Sequence, residues 1–143
     1  MKIVATAPVA PPAPELLAEL AEIVVAPADD EATLIPLVRD AVALIVRGGC
    51  PIGGRLLDAA PSLRVIARTG IGVDLVDLEA ANRRRIPVLV TPGAGAQAVA
   101  EGALALMLAL AKRLPELNAL VRQGRFRERD SAEIGDLWGA TLG

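Results

Sequence analysis

Residues 62–101 read SLRVIARTGIGVDLVDLEAANRRRIPVLVTPGAGAQAVAE. Val65, Ile66 and Ala67 form a short β-branched run that stops at Arg68-Thr69-Gly70. Gly70 and Gly72 bracket a turn, and Asp74 precedes an apolar-periodic helix carrying Leu75, Leu78 and Ala81. Val88, Leu89 and Val90 repeat the strand and stop at Thr91-Pro92-Gly93. Both glycine turns follow the C-terminal end of a strand. That edge is where open parallel α/β sheets take their ligands.

The same alternation extends toward the N-terminus. Lys2 to Ala5 reads as a strand, and Pro8 to Pro14 as a loop. Glu15 to Glu22 reads as a helix with Leu16, Leu17 and Leu20 on one face. Ile23 to Val25 is a second strand. Asp29 and Asp30 are placed to cap a helix over Glu31 to Asp40, which Pro36 should distort or divide. Ala43 to Val46 is apolar throughout, as a parallel strand buried on both faces should be. It ends in a third glycine turn, Arg47-Gly48-Gly49-Cys50-Pro51, followed by a short helix over Ile52 to Ala60. Five strands alternating with helices predict a parallel sheet with right-handed crossovers. The expected class is α/β, a flavodoxin-like sheet of order 2-1-3-4-5.

Beyond Gly95 the pattern changes. Gln97 to Arg113 reads as one helix, apolar on nearly every side and roughly 25 Å long. Such a helix has to be buried all round, and a five-stranded domain covers only one of its faces. The other face is expected to meet a partner domain or a second subunit. Leu114-Pro115 should end this helix, and Glu116 to Gln123 should form an amphipathic one closed by Gly124. Arg125 to Gly143 reads as loop. The expected units are 1–94 and 95–143.

Composition narrows the chemistry. The 143 residues are 53% hydrophobic, with one Trp, one Phe and no Tyr. An aliphatic chain without aromatic platforms is poorly suited to stacking nucleic-acid bases. The net charge of −2 offers no basic surface beyond Arg83-Arg84-Arg85, which a solvated helix end explains. The absence of His excludes a Ser-His-Asp triad, a Cys-His pair and His acid–base chemistry within these residues. The single Cys excludes a disulfide framework and a Cys-rich zinc site, so no metal is expected, and it suits a reducing, cytoplasmic setting. MKIVATAPVA makes a poor signal peptide. Glu101 and Lys112 bound the longest apolar run, which is too short to cross a membrane.

Three features carry chemistry. Gly93-Ala94-Gly95-Ala96-Gln97-Ala98 matches the dinucleotide fingerprint G-x-G-x-x-G/A after a strand. A dinucleotide unit also needs a second parallel strand ending in an acidic residue, and Leu114 to Asn118 reads as turn and helix instead. A glycine turn leading the chain out of one domain is the better reading. Gly70-Ile71-Gly72 is the stronger candidate, since successive uncovered N–H groups at Ile71 and Gly72 can take a small carboxylate or phosphate. Arg47 and Arg68 end adjacent strands, where guanidinium groups hold such anions bidentately. Cys50 has no His to activate it and reads as a bystander.

These residues together resemble a known family. Ala43 to Arg47 (ALIVR), Leu63 to Leu78 (LRVIARTGIGVDLVDL), Ile86 to Pro92 (IPVLVTP), and Val99-Ala100-Glu101 with Leu106 to Leu110 look like the N-terminal part of the D-isomer-specific 2-hydroxyacid dehydrogenases, the phosphoglycerate dehydrogenase branch above all. The resemblance implies a flavodoxin-like substrate domain over 1–94 and the start of a truncated Rossmann cofactor domain over 95–143. It implies a homodimer contact through helix 97–113 and a small 2-hydroxy or 2-oxo acid as substrate. Arg47, Arg68, Thr69, Gly70, Ile71 and Gly72 would be the substrate-binding residues. NAD is the implied cofactor, its main site lying beyond Gly143. The catalytic Arg, Glu and His of the family would also lie further on, so no turnover is expected from these residues alone. A free-standing small-carboxylate binding module and an inactive truncated fragment are the other readings.

Overall fold

Five parallel strands form one sheet: β1 (Lys2–Ala5), β2 (Glu22–Val25), β3 (Ala43–Val46), β4 (Val65–Arg68) and β5 (Val88–Leu89). Their order is β2-β1-β3-β4-β5, the order the sequence pattern predicts. The computed structural model describes residues 1–143, in two compact units, Met1–Ala94 and Gly95–Gly143. The register sets Ala5 against Ile45, Ile45 against Ala67, and Val46 against Arg68. The C-terminal ends of β1, β3 and β4 therefore share one edge.

Side chains alternate between the two faces of a strand. Val4, Leu44, Val46 and Ile66 pack on one face with Leu34, Val38, Leu56, Leu57, Ala80 and Ala81 of the helices α2 (Glu31–Val38), α3 (Gly54–Asp58) and α4 (Leu78–Arg83). Ile3, Ala5 and Ile45 occupy the other face, against Val9, Leu17, Ala21 and Ala67. Leu17 belongs to α1 (Ala13–Ala18). Both faces of β3 are thus covered, which is why its sequence is apolar without alternation. Each fully buried Leu or Ile contributes about 1.5–3 kcal/mol.

Several boundaries differ from the sequence expectation. The first helix ends at Ala18, because Glu22 is drawn into β2 opposite Lys2. Pro36 neither divides α2 nor ends it. Pro36 and Ala32 are both exposed, so water can serve the Ala32 carbonyl that the missing N–H leaves free. Asp30, not Asp29, caps this helix, accepting from the Thr33 N–H at 2.9 Å and the Thr33 hydroxyl at 2.8 Å. The third helix covers only Gly54–Asp58, because Ile52 bridges to Val76, with Ile52 N–H donating to Leu75 O at 2.7 Å. That bridge also withholds Leu75 and Val76 from the next helix. Asp77 replaces Asp74 as its cap, accepting from the Ala80 N–H at 2.8 Å.

In the second unit, α5 (Ala96–Ala111) is 16 residues long and none of them is buried. Arg113, at φ 49°, turns the chain into α6 (Leu114–Arg122), with Pro115 in its first turn. Gly124, at φ 73°, closes α6: its N–H donates to Val121 O at 3.0 Å, and the Arg125 N–H reaches Leu120 O at 2.9 Å. This is the Schellman pattern, and it requires a left-handed residue. Phe126–Ser131, expected as loop, forms 3-10 turns. The Gly135 N–H then returns to Ala111 O at 2.8 Å. No helix is long and apolar enough to cross a membrane.

Candidate functional site

The C-terminal edge of the sheet carries the glycine turns after β3 and β4, and they differ in one respect. The turn after β3 is filled from within the chain. The Asp29 carboxylate accepts from the Gly49 N–H at 2.7 Å and from the Cys50 N–H at 3.1 Å. Gly48 sits at φ +105°, where an added Cβ would lie 2.3 Å from the Asp29 carboxylate oxygen. The turn is therefore an anion-binding loop whose anion is Asp29.

The turn after β4 is open. Neither the Ile71 nor the Gly72 N–H donates to another group of the chain. Arg68 is half-buried and its Nε donates to Gly72 O at 2.9 Å, while the Thr91 N–H donates to Gly70 O at 3.1 Å. Two carbonyls of the turn are thus held while two amides are left free. Neither Gly70 nor Gly72 has positive φ, and a Cβ at Gly70 would meet nothing within 4 Å. Backbone geometry does not demand glycine at position 70, and the space beside it is free. At Gly72 an added Cβ would come 3.2 Å from the Asp74 carboxylate.

A cleft of about 280 Å³ lies on the same edge, lined by Val9, Ala10, Arg47 and Thr69. Arg47 follows β3, and its guanidinium donates to the Pro8 carbonyl. Its peptide is clasped by Thr6: the Arg47 N–H donates to Thr6 Oγ1 at 2.9 Å, and the Thr6 hydroxyl donates to Arg47 O. The structure brings Arg47 and Thr69 into one cleft. Arg68 stands in register with Val46, so its side chain leaves the sheet on the opposite face from Arg47 and Thr69. It joins Gly70, Ile71 and Gly72 by its bond to the turn.

Thr6 and Asp29 were not legible as site residues. Each acts on a turn that lies 20–41 residues away in sequence, and no local motif marks either one. Cys50 is buried. Burial, and then the Asp29, Asp30 and Glu31 carboxylates, push its thiol up and away from the reactive thiolate. No three His, Cys, Asp or Glu side chains come together as a metal site. Gly93 to Ala98 do follow β5 and open α5, but α5 leads to α6 and no strand follows. The βαβ unit that would hold a dinucleotide is not formed by these residues.

The family described as D-isomer specific 2-hydroxyacid dehydrogenase, catalytic domain, matches residues 3–141. The D-3-phosphoglycerate dehydrogenase of Methanocaldococcus jannaschii is 36% identical over 143 residues, all of this chain and 27% of that protein. The chain therefore spans about a quarter of that curated relative. Among solved structures, the NADPH-dependent glyoxylate/hydroxypyruvate reductase of Sinorhizobium meliloti, holding NADP and malonate, superposes with a TM-score of 0.80 at 32% identity, covering 98% of this chain and 44% of that one. The NAD+-bound 3-phosphoglycerate dehydrogenase of Entamoeba histolytica superposes at 0.67 with 30% identity, covering 79% and 39%. NAD is the cofactor of the family, and the residues of this chain do not fit it, for want of the strand after α5. With a parallel sheet of this order and a match over nearly its whole length, the chain belongs to the D-isomer-specific 2-hydroxyacid dehydrogenase family.

Proposed function

We propose that this chain is the substrate-binding side of an NAD-dependent dehydrogenase of small D-2-hydroxy acids, most like phosphoglycerate dehydrogenase. NAD would supply the hydride acceptor for oxidation of such an acid at C2 to a 2-oxo acid, and the βαβ unit that would hold it is not formed by these residues. The observation that carries the reading is the open turn. Ile71 and Gly72 present two unpartnered N–H groups on the edge that also holds the Arg47–Thr69 cleft. Amides left free in this way suit the substrate carboxylate. Arg47 suits a phosphate at the other end. Arg68 fixes the turn through Nε and keeps its Nη groups for the ligand. α5 has no buried residue and 12 of its 16 are exposed, which suits a homodimer contact.

Proton transfer at C2 needs a base, and the chain has no His. The chain alone should bind 3-phospho-D-glycerate and D-glycerate saturably, with no turnover and no tight binding of NAD. Isothermal titration calorimetry with the two acids tests this. Absence of heat from both would overturn the site, and an NADH-dependent rate from the purified chain would overturn the division of labour. One observation favours the stand-alone binding module: Met1–Ala94 carries all five strands and covers both faces of the central strand β3 by itself. The coding DNA beyond codon 143 separates the two. An in-frame strand followed by G-x-G-x-x-G supports the dehydrogenase, and a stop codon leaves the binding module.

A further inference from the structure

Thr6 is the buried polar side chain of the core, at 2% exposure. Burying a hydroxyl is unfavourable unless it is hydrogen-bonded, and this one is bonded twice to a single residue. Its oxygen accepts from the Arg47 N–H at 2.9 Å, and its hydroxyl donates to the Arg47 carbonyl. The backbone explains why. The Thr6 N–H donates to Ile45 O at 2.9 Å, which is a normal rung of the parallel ladder between β1 and β3. The next rung would run from the Arg47 N–H to the Thr6 carbonyl. The Thr6 side chain takes that bond instead. The substitution frees the main chain after β1 to leave the sheet toward Val9 and Ala10, which line the Arg47 cleft. It also fixes the peptide groups on both sides of the Arg47 Cα.

We propose that Thr6 is a positioning residue for Arg47: its hydroxyl sets the direction in which the Arg47 guanidinium enters the cleft, and so the affinity for the phosphate end of a phosphorylated 2-hydroxy acid. The ligand half of this inference rests on the binding reading given above. The geometric half stands without it. Thr6→Val keeps the shape and removes the hydroxyl. Thr6→Ser keeps the hydroxyl and removes a methyl group.

Two measurements on the full chain test the proposal. The first uses no ligand. Backbone 15N relaxation should show Arg47 as rigid as Ile45 in the wild type and in Thr6→Ser, and mobile in Thr6→Val, with Ile45 and Ala67 unchanged in all three. An Arg47 that stays rigid in Thr6→Val overturns the proposal. The second is calorimetric titration of the same three proteins. Thr6→Val should lose about tenfold in affinity for 3-phospho-D-glycerate, the scale of one or two hydrogen bonds, and less than twofold for D-glycerate, which has no phosphate. Thr6→Ser should restore most of the loss. Equal losses for the two acids would make Thr6 a structural residue and overturn the proposal. A wild type that binds neither acid overturns the binding reading, and the relaxation result then decides the role of Thr6 alone.

Discussion

The Arg68 Nε donates to the Gly72 carbonyl at 2.9 Å, so the last residue of β4 holds the turn that follows it. Arg47, on the opposite face, lines the cleft instead. Two arginines that look equivalent in sequence should therefore fail differently. Arg68→Ala should weaken D-glycerate and 3-phospho-D-glycerate alike, by about tenfold, because a bond from a charged donor is worth about 1.5–3 kcal/mol and its loss lets the turn move. Arg47→Ala should weaken only the phosphorylated acid. Calorimetric titration of both variants separates them, and unchanged D-glycerate binding in Arg68→Ala would sink the assignment.

The Gly48 turn should be the backbone position least tolerant of a side chain. At φ +105° an L-residue is strained by about 1–2 kcal/mol. Its Cβ would also displace the Asp29 carboxylate from the Gly49 and Cys50 amides. Gly48→Ala should cost about 2 kcal/mol or more in urea denaturation. Since one carboxylate accounts for part of both losses, Gly48→Ala with Asp29→Ala should cost less than the sum of the single changes. Additive losses would mean that the clash is relieved some other way.

The strands were legible because short aliphatic, β-branched runs bounded by glycine or proline turns leave few alternatives, and β1, β3 and the sheet order follow from them. The helix starts were less so. Asp74 and Asp77 are both good caps, and local periodicity favours Asp74 because Leu75 and Leu78 follow it. The choice is made by Ile52, more than 20 residues earlier, whose bridge to Val76 takes those residues out of the helix. The same holds at the site. Gly70 and Gly72 announce a turn, but the sequence does not tell an open turn from one filled by its own carboxylate, as Asp29 fills the turn at Gly49. Nor does a strand-end arginine disclose its face until the register with the next strand is known.

Leu44 is central in the sheet and completely buried against the larger core cluster. Leu44→Ala should cost about 3 kcal/mol, within the range for a large-to-small change that leaves a cavity. Thermal or urea unfolding measures it. A cost below about 1 kcal/mol would mean that the sheet closes around the gap, contrary to a close-packed core.

Hydrogen bonds from the Thr33 N–H and hydroxyl hold the Asp30 carboxyl below the usual aspartate range. A depressed folded-state pKa means that the contribution is fully present above the unfolded-state value and is lost as the pH falls through the folded one. Asp30→Ala should therefore melt at a lower temperature than the wild type at neutral pH. The gap should narrow as the pH drops below about 4, the ordinary aspartate value. A gap that stays constant down to pH 2 would show that the capping charge contributes nothing.

Val99, Leu106 and Leu110 are 73, 68 and 79% exposed. Steps of seven and four residues put them on one stripe of α5. Three large aliphatic side chains in a row on an uncovered helix face favour association, and a second copy presents the same stripe under two-fold symmetry. The proposed homodimer should then depend on this stripe. Leu106→Glu with Leu110→Glu places four like charges at the contact of two copies, so sedimentation equilibrium should report a dimer for the wild type and a monomer for the double variant. The circular dichroism of the two should match, because no α5 residue is buried within the chain. A double variant that remains dimeric would move the contact to another surface, and a monomeric wild type would remove it.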